Sequence, residues 1–246
     1  MAYSAEVPTS QRVGTKAGCL CHFAPSFTMK LLIASRNKHK LKEIKAIFDL
    51  RGIDLSGADE NPGLPEVIED GTTFHANAVK KAVTLAIASH TWTIADDSGL
   101  EVDALGGAPG VHSARYAGDQ ADYTANNAKL LKELDGISLR SARFRCIVAM
   151  SSPSGRAQMV EAKCEGLIID VLRGSGGFGF DPLFVPDGHN QTFAEMDISL
   201  KNMISHRALA LRLAKEKWSF VLSGKENEWP SVLSPEQRKK QRSQFS

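Results

Sequence analysis

The stretch Trp92-Thr93-Ile94-Ala95-Asp96-Asp97-Ser98-Gly99 decides how the rest of the chain is read. Its first four residues are a short apolar run suited to a buried strand, and the run stops at two adjacent carboxylates. The reading predicts a strand over residues 92–95 that ends where the carboxylates begin. Neighbouring carboxylates are costly unless something neutralises them. In α/β folds, ligands gather at the carboxyl ends of strands. Hard oxygen donors suit Mg²⁺, which takes one or two carboxylates together with substrate phosphates. An Asp-rich turn would account for the same letters, so the motif needs company.

Upstream, Lys30 to Ala34 reads as a buried strand. Residues 38–50 place Leu41, Ile44, Ile47 and Phe48 on one helical face, with Gly52 as the stop. A loop with Pro62, Gly63 and Pro65 leads to a second helix over residues 73–88, striped by Phe74, Ala78, Ala82 and Leu85. Downstream come a helix over 122–134 and an antiparallel strand pair over 142–151 and 158–170 around a 153–155 turn. A short strand over 182–185 follows, then one helix striped by Ile204, Ala208, Leu211 and Ala214 and ending near Trp218. The mixture implies an α/β fold.

Outside this patterned region, residues 1–28 are aperiodic and rich in Ser, Thr, Pro and Gly, and read as a flexible extension. Residues 219–246 hold Pro230, Pro235 and the basic run Arg238-Lys239-Lys240, and read as a loosely attached tail. The formal charge of +2 comes from these ends: residues 1–29 carry +1 and residues 219–246 carry +2, which leaves the middle at −1. Bulk charge therefore does not point to nucleic acid as a partner. No apolar run reaches the roughly 20 residues that cross a bilayer, and the first 28 residues lack the apolar centre of a secretory signal. Of four cysteines, Cys146 lies in an apolar run and Cys19 and Cys21 lack partners at zinc spacing, which favours a reducing cytoplasm.

Four further segments could carry chemistry. Ser35-Arg36-Asn37-Lys38-His39-Lys40 lies between a strand and a helix start, where backbone N–H groups favour an anion and Lys40 adds charge. Asn37 can also cap that helix. Glu69-Asp70-Gly71 offers more carboxylates and Lys81 another cation. Gly174 to Pro182 contains a literal G-x-G-x-x-G, but Asp181-Pro182 stands where the dinucleotide fingerprint needs a helix. A loop with backbone open to a ligand and Phe178 free to stack on a flat base fits better. Lys201 to Arg207 combines phosphate binders, Lys201 and Arg207, with Ser205 and His206 for a base edge. Taken singly, each segment is matched by a solvated helix face or an ordinary turn.

Together these motifs, with Gly106-Gly107-Ala108-Pro109-Gly110 and Ser113-Ala114-Arg115-Tyr116, resemble the inosine triphosphate pyrophosphatase family in order and spacing from about Met29 to Trp218. The resemblance implies an elongated two-lobed mixed sheet with flanking helices and a central nucleotide cleft. It also implies a homodimer and Mg²⁺-dependent hydrolysis of ITP, dITP and XTP to monophosphate and pyrophosphate. By resemblance, Ser35, Arg36, Asn37, Lys38, His39 and Lys40 grip the triphosphate with Lys81 nearby. Glu69 and Asp97 hold Mg²⁺, and Asp97 is the base, supported by Asp96. Ser98 touches substrate. Phe178, Gly179, Phe180 and Asp181 form the base pocket, and Lys201, His206 and Arg207 complete it.

The chain departs from the family's pattern with Arg36 in place of a frequent Gly, Ala76 in place of Glu, and Phe180 in place of Tyr or Trp. Two other readings stay open: a pyrophosphatase for different modified nucleotides, and a non-catalytic nucleotide- or RNA-binding module. The carboxylates Glu69, Asp96 and Asp97 weigh against the second, because they repel phosphate.

Overall fold

The computed structural model describes residues 28–118, 122–225 and Trp229. The sequence readings of the first 27 residues, of the Cys19/Cys21 pair and of the Arg238-Lys239-Lys240 run lie outside them. In chain order the elements are β1 (Met29–Ile33), α1 (Lys38–Phe48), β2 (Ile53–Gly57), α2 (Phe74–Ser89), β3 (Trp92–Val102) and α3 (Tyr123–Glu133). They are followed by β4 (Ser141–Ser151), β5 (Ala157–Ile168), β6 (Phe184–Pro186), α4 (Ile198–Ile204), α5 (His206–Lys217) and α6 (Ser219–Leu222). The strands form one mixed sheet in the order β2-β1-β3-β4-β5-β6. β1 runs parallel to β2 and β3, and the remaining pairs are antiparallel.

β4 shows why its sequence is a continuous apolar run. Cys146, Val148 and Met150 point to the face covered by α1 and α5, while Ile147 and Ala149 point to the face covered by α2. Both faces are buried, so alternation disappears. α2 approaches closely because its inward stripe is mostly small, with Ala78, Ala82 and Ala86 all buried. A third cluster, holding Leu100, Val102, Leu130, Phe144, Phe184 and Phe193, forms at the far ends of β3 and β4. Those two strands therefore pass through both lobes, each lobe with its own core.

Several boundaries differ from the sequence reading. β3 does not stop at Ala95: it continues to Val102, and Asp96 and Asp97 sit inside it, opposite Val148 and Ile147 of β4. Ten consecutive pairings with β4 outweigh the turn-like composition of Asp-Asp-Ser-Gly. β1, in contrast, leaves the sheet after the Ala34 N–H bond to Ile94 O at 2.8 Å. The two carboxylates thus stand beside the carboxyl end of β1, not of their own strand. Gly99 is needed there because the space a side chain would take is filled by Ser113 Oγ and the Gly110 carbonyl.

α1 ends at Phe48, and Gly52, at φ 86°, turns the chain into the short edge strand β2. The last short strand falls at Phe184–Pro186, starting two residues and ending one residue later than read. The single C-terminal helix is two: Ser205, extended at ψ 151°, ends α4 and caps α5 through Ala208 N–H at 3.3 Å. The packed body also continues beyond Trp218. Val221 and Trp229 are buried with Trp218, and the Trp229 ring meets Trp92 edge-on at 5.0 Å. Phe220 and Leu222 pack partly buried against the same cluster, while Ser219 and residues 223–225 are exposed.

Trp229→Ala should lower stability by about 3–5 kcal/mol, the usual range for deleting a buried Trp. Urea unfolding measures it, and a loss under about 1 kcal/mol would show that this ring is not anchored in the core.

Candidate active site

The alternation of β3 sends its two carboxylates to opposite sides. Asp96 follows Ile94 toward α1 and α5, where Lys40 Nζ lies 3.2 Å and Arg207 Nε 3.1 Å from Oδ2. Asp97 follows Ala95 toward α2, where Lys81 Nζ lies 3.6 Å from Oδ1 and 3.0 Å from Glu69. Burial alone would raise the Asp96 pKa, but Lys40, Arg207 and Lys81 hold it far below the carboxylate range. Burial raises that of Asp97, and Glu69 and Asp96 add to the rise against the pull of Lys81 and Lys40. Burial would discharge Lys81, yet Asp97, Glu69 and Asp96 keep it charged. Adjacent residues of one type therefore differ: a fixed anion and a carboxylate ready to take a proton.

A second chain of ion pairs lies behind the first. Lys201 donates to Glu43 at 2.9 Å and to Asp181 at 2.7 Å, and Arg207 donates to Glu43 and, at 2.7 Å, to Ser98 Oγ. The sequence reading missed Glu43. Its signal was a Glu at three- and four-residue steps from Lys40 and Ile47, on a helix face that turns inward. Asn127 was missed too; it donates to Gly179 O at 3.0 Å and fixes the glycine-rich loop to α3. In that loop Asp181 accepts the Phe178 N–H at 2.7 Å. Gly177 has φ 69°, and a Cβ there would collide with the Asp181 carboxylate.

Several of these groups border a cavity of about 360 Å³, with Glu43, Asp96 and Asn127 behind its wall. Ser35, Arg36, Asn37 and Lys40 line it from the β1–α1 side, and Glu69, Lys81, Asp97 and Ser98 line its floor. Phe178, Gly179, Phe180, Asp181, Lys201, His206 and Arg207 close the other end. Among the residues singled out in sequence, Lys38 and His39 do not line it; both are exposed, Lys38 to solvent and His39 with its ring against Phe178. Asn37 Oδ1 caps α1 by accepting from His39 and Lys40 N–H at 3.0 and 3.3 Å, so those donors are already engaged. Phe180 is a core ring, edge-on to Tyr116 at 6.3 Å. His206 stacks on Phe144 at 4.6 Å, and burial with Arg207 and Lys201 nearby holds it neutral, leaving Nδ1 without a partner among the described residues.

The floor suits a hard divalent cation. Asp97 Oδ2 is buried there without a hydrogen-bond partner among the described residues. The paired network sets five carboxylates (Glu43, Glu69, Asp96, Asp97, Asp181) against four cations (Lys40, Lys81, Lys201, Arg207), one negative charge in excess. Among the described residues no three His, Cys, Asp or Glu side chains form a closed cage. Glu69 and Asp97 alone are the donor set expected where phosphates supply the remaining ligands. Asn77 fixes the Glu69 loop by accepting Gly71 N–H at 2.8 Å, and Arg115 donates to Glu69 O at 3.2 Å.

The model of the Ham1 family matches residues 31–217. A dITP/XTP pyrophosphatase of Desulforamulus reducens is 52% identical over 190 residues, covering 76% of this chain and 94% of the relative. A dITP/XTP pyrophosphatase of Bacillus subtilis is 48% identical over 183 residues, covering 74% and 92%. The structure of the Staphylococcus aureus Ham1 protein superposes with a TM-score of 0.71 at 38% identity, covering 77% of this chain and 98% of that one.

Glu43→Ala leaves Lys201 and Arg207 buried without their shared carboxylate and should cost about 3–5 kcal/mol. Denaturant unfolding checks it; a loss below about 1 kcal/mol would mean that Asp96 and Asp181 suffice to hold both cations.

Proposed function

The chain belongs to the Ham1 family, and on that premise we propose that it hydrolyses the non-standard purine nucleoside triphosphates ITP, dITP and XTP to monophosphate and pyrophosphate, with Mg²⁺. The observation that carries this reading is the buried, unpartnered Oδ2 of Asp97 in a cavity that also presents Lys40 and Lys81. The relatives named dITP/XTP pyrophosphatase support the substrate class.

Asp97 takes the proton of the water that attacks the α-phosphorus, and its raised pKa suits a general base. Lys40 and Lys81 stabilise charge on the departing pyrophosphate. Asp96 acts at a distance, holding Lys40 and Arg207 in place through its ion pairs. Mg²⁺, held by Glu69 and Asp97, would polarise the phosphate and acidify bound water. Lys201, His206, Arg207 and the backbone of residues 178–181 meet the base. Donors aimed at a 6-keto oxygen are left unpaired by the amino group of adenine, which penalises ATP.

The proposal extends to a homodimer in the cytoplasm; the free, buried thiols of Cys146 and Cys164 support a reducing compartment. Among the described residues no helix is long and apolar enough to cross a membrane.

Pyrophosphate release should be strong from ITP and XTP, weak from ATP and GTP, and abolished by EDTA; release of orthophosphate instead would overturn the reading. Asp97→Asn should remove turnover while leaving the unfolding midpoint within a few degrees. A base must be deprotonated to act, so kcat/KM should fall toward acid pH as Asp97 takes up a proton. A profile with no acid limb would remove Asp97 from the role.

A further inference from the structure

His39 belongs to the segment that reads as a phosphate grip, yet its imidazole lies against Phe178. The rings stack at 5.1 Å between centroids with an interplanar angle of 21°. Phe178 lines the cavity and His39 does not. Two cations that also line the cavity stand over the Phe178 ring, Lys201 Nζ at 5.2 Å and Arg207 at 5.6 Å from its centroid. Gly174, Gly177 and Gly179 of the Phe178 loop have positive φ, and its backbone is held by the Phe178 N–H bond to Asp181 and by Asn127. The Phe178 ring itself makes no hydrogen bond, so its rotamer is set by the groups packed around it, with Tyr123 at 6.1 Å beside His39 and the two cations.

We propose that His39 is a positioning residue for the purine base: its imidazole backs Phe178 on the face turned away from the cavity and keeps the inner face presented to the base. This rests on the functional reading above and gives that site a residue that touches neither the phosphates nor the base. The role follows from where α1 stands. The same first turn that places Asn37 and Lys40 on the phosphate side carries His39 to the base loop. One rigid helix thereby sets the distance between the phosphate grip and the stacking platform. A flat ring is what the role needs, because offset stacking between aromatic faces restrains the Phe178 rotamer. Hydrogen bonding by the imidazole is not required.

The test compares wild type, His39→Ala and His39→Phe for ITP turnover, and for competitive inhibition by inorganic triphosphate, which has no base. His39→Ala should raise KM for ITP about three- to tenfold with kcat within about twofold. The inhibition constant of triphosphate should not move, and His39→Phe should return KM to near wild type. An unchanged or lowered KM in His39→Ala overturns the inference. So does an equal loss for triphosphate, which would put His39 on the phosphates, or a failure of Phe to rescue, which would make the imidazole a polar contact. If wild type turns over ITP and any of these results appears, the inference falls alone. If wild type neither binds nor turns over ITP, the functional reading falls and takes the inference with it.

Discussion

A carboxylate as buried as Asp96, 2% exposed, persists only when cations reach it from other elements. Lys40 arrives from α1 and Arg207 from α5, and Arg207 is itself shared with Glu43 of α1. Lys201 of α4 joins the chain through Glu43 and extends it to Asp181 in the glycine-rich loop. Two helices, one strand, the short α4 and one loop are thus held at fixed mutual positions by a single run of compensated charge. Such buried pairs are not large net sources of stability, because desolvation offsets much of the attraction. What they impose is uniqueness, since any shift of one element strands a charge in another.

Much of this was legible in the sequence wherever one physical signal acted alone. α1, α2 and α3 announce themselves by apolar periodicity with Asn37, Thr73 and Asp122 as caps, and the β4–β5 pair by its turn. The resemblance to a pyrophosphatase family, carried by motifs in order, gave fold and family correctly. Legibility failed where signals competed. Asp-Asp-Ser-Gly looks like a strand end by composition, but pairing with β4 carries β3 through it. Ser205 sits in an uninterrupted apolar stripe, so the break between α4 and α5 leaves no mark on periodicity.

Burial of charge was the other blind spot. Glu43 looks like any surface glutamate until Lys201 and Arg207, more than 150 positions away, fold onto it. The motif Ser35 to Lys40 reads as a unit in sequence, whereas a helix turns about 100° per residue and parts Lys38, His39 and Lys40. Lys40 faces Asp96, Lys38 faces solvent, and His39 faces an aromatic ring. Trp229 was hidden by its neighbourhood, a polar stretch holding Lys225, Pro230 and Pro235 in which one large ring carries the contact.

The unbroken β3–β4 ladder, present in both lobes, has a mechanical consequence. Where two lobes are joined by a few linker residues, they can swing shut on a guest. Here the connection is a pair of strands hydrogen-bonded over ten consecutive pairings, a stiffer joint than a few linker residues. One backbone ladder thus serves as the shared wall of both lobes, and what is set on one lobe is set relative to the other.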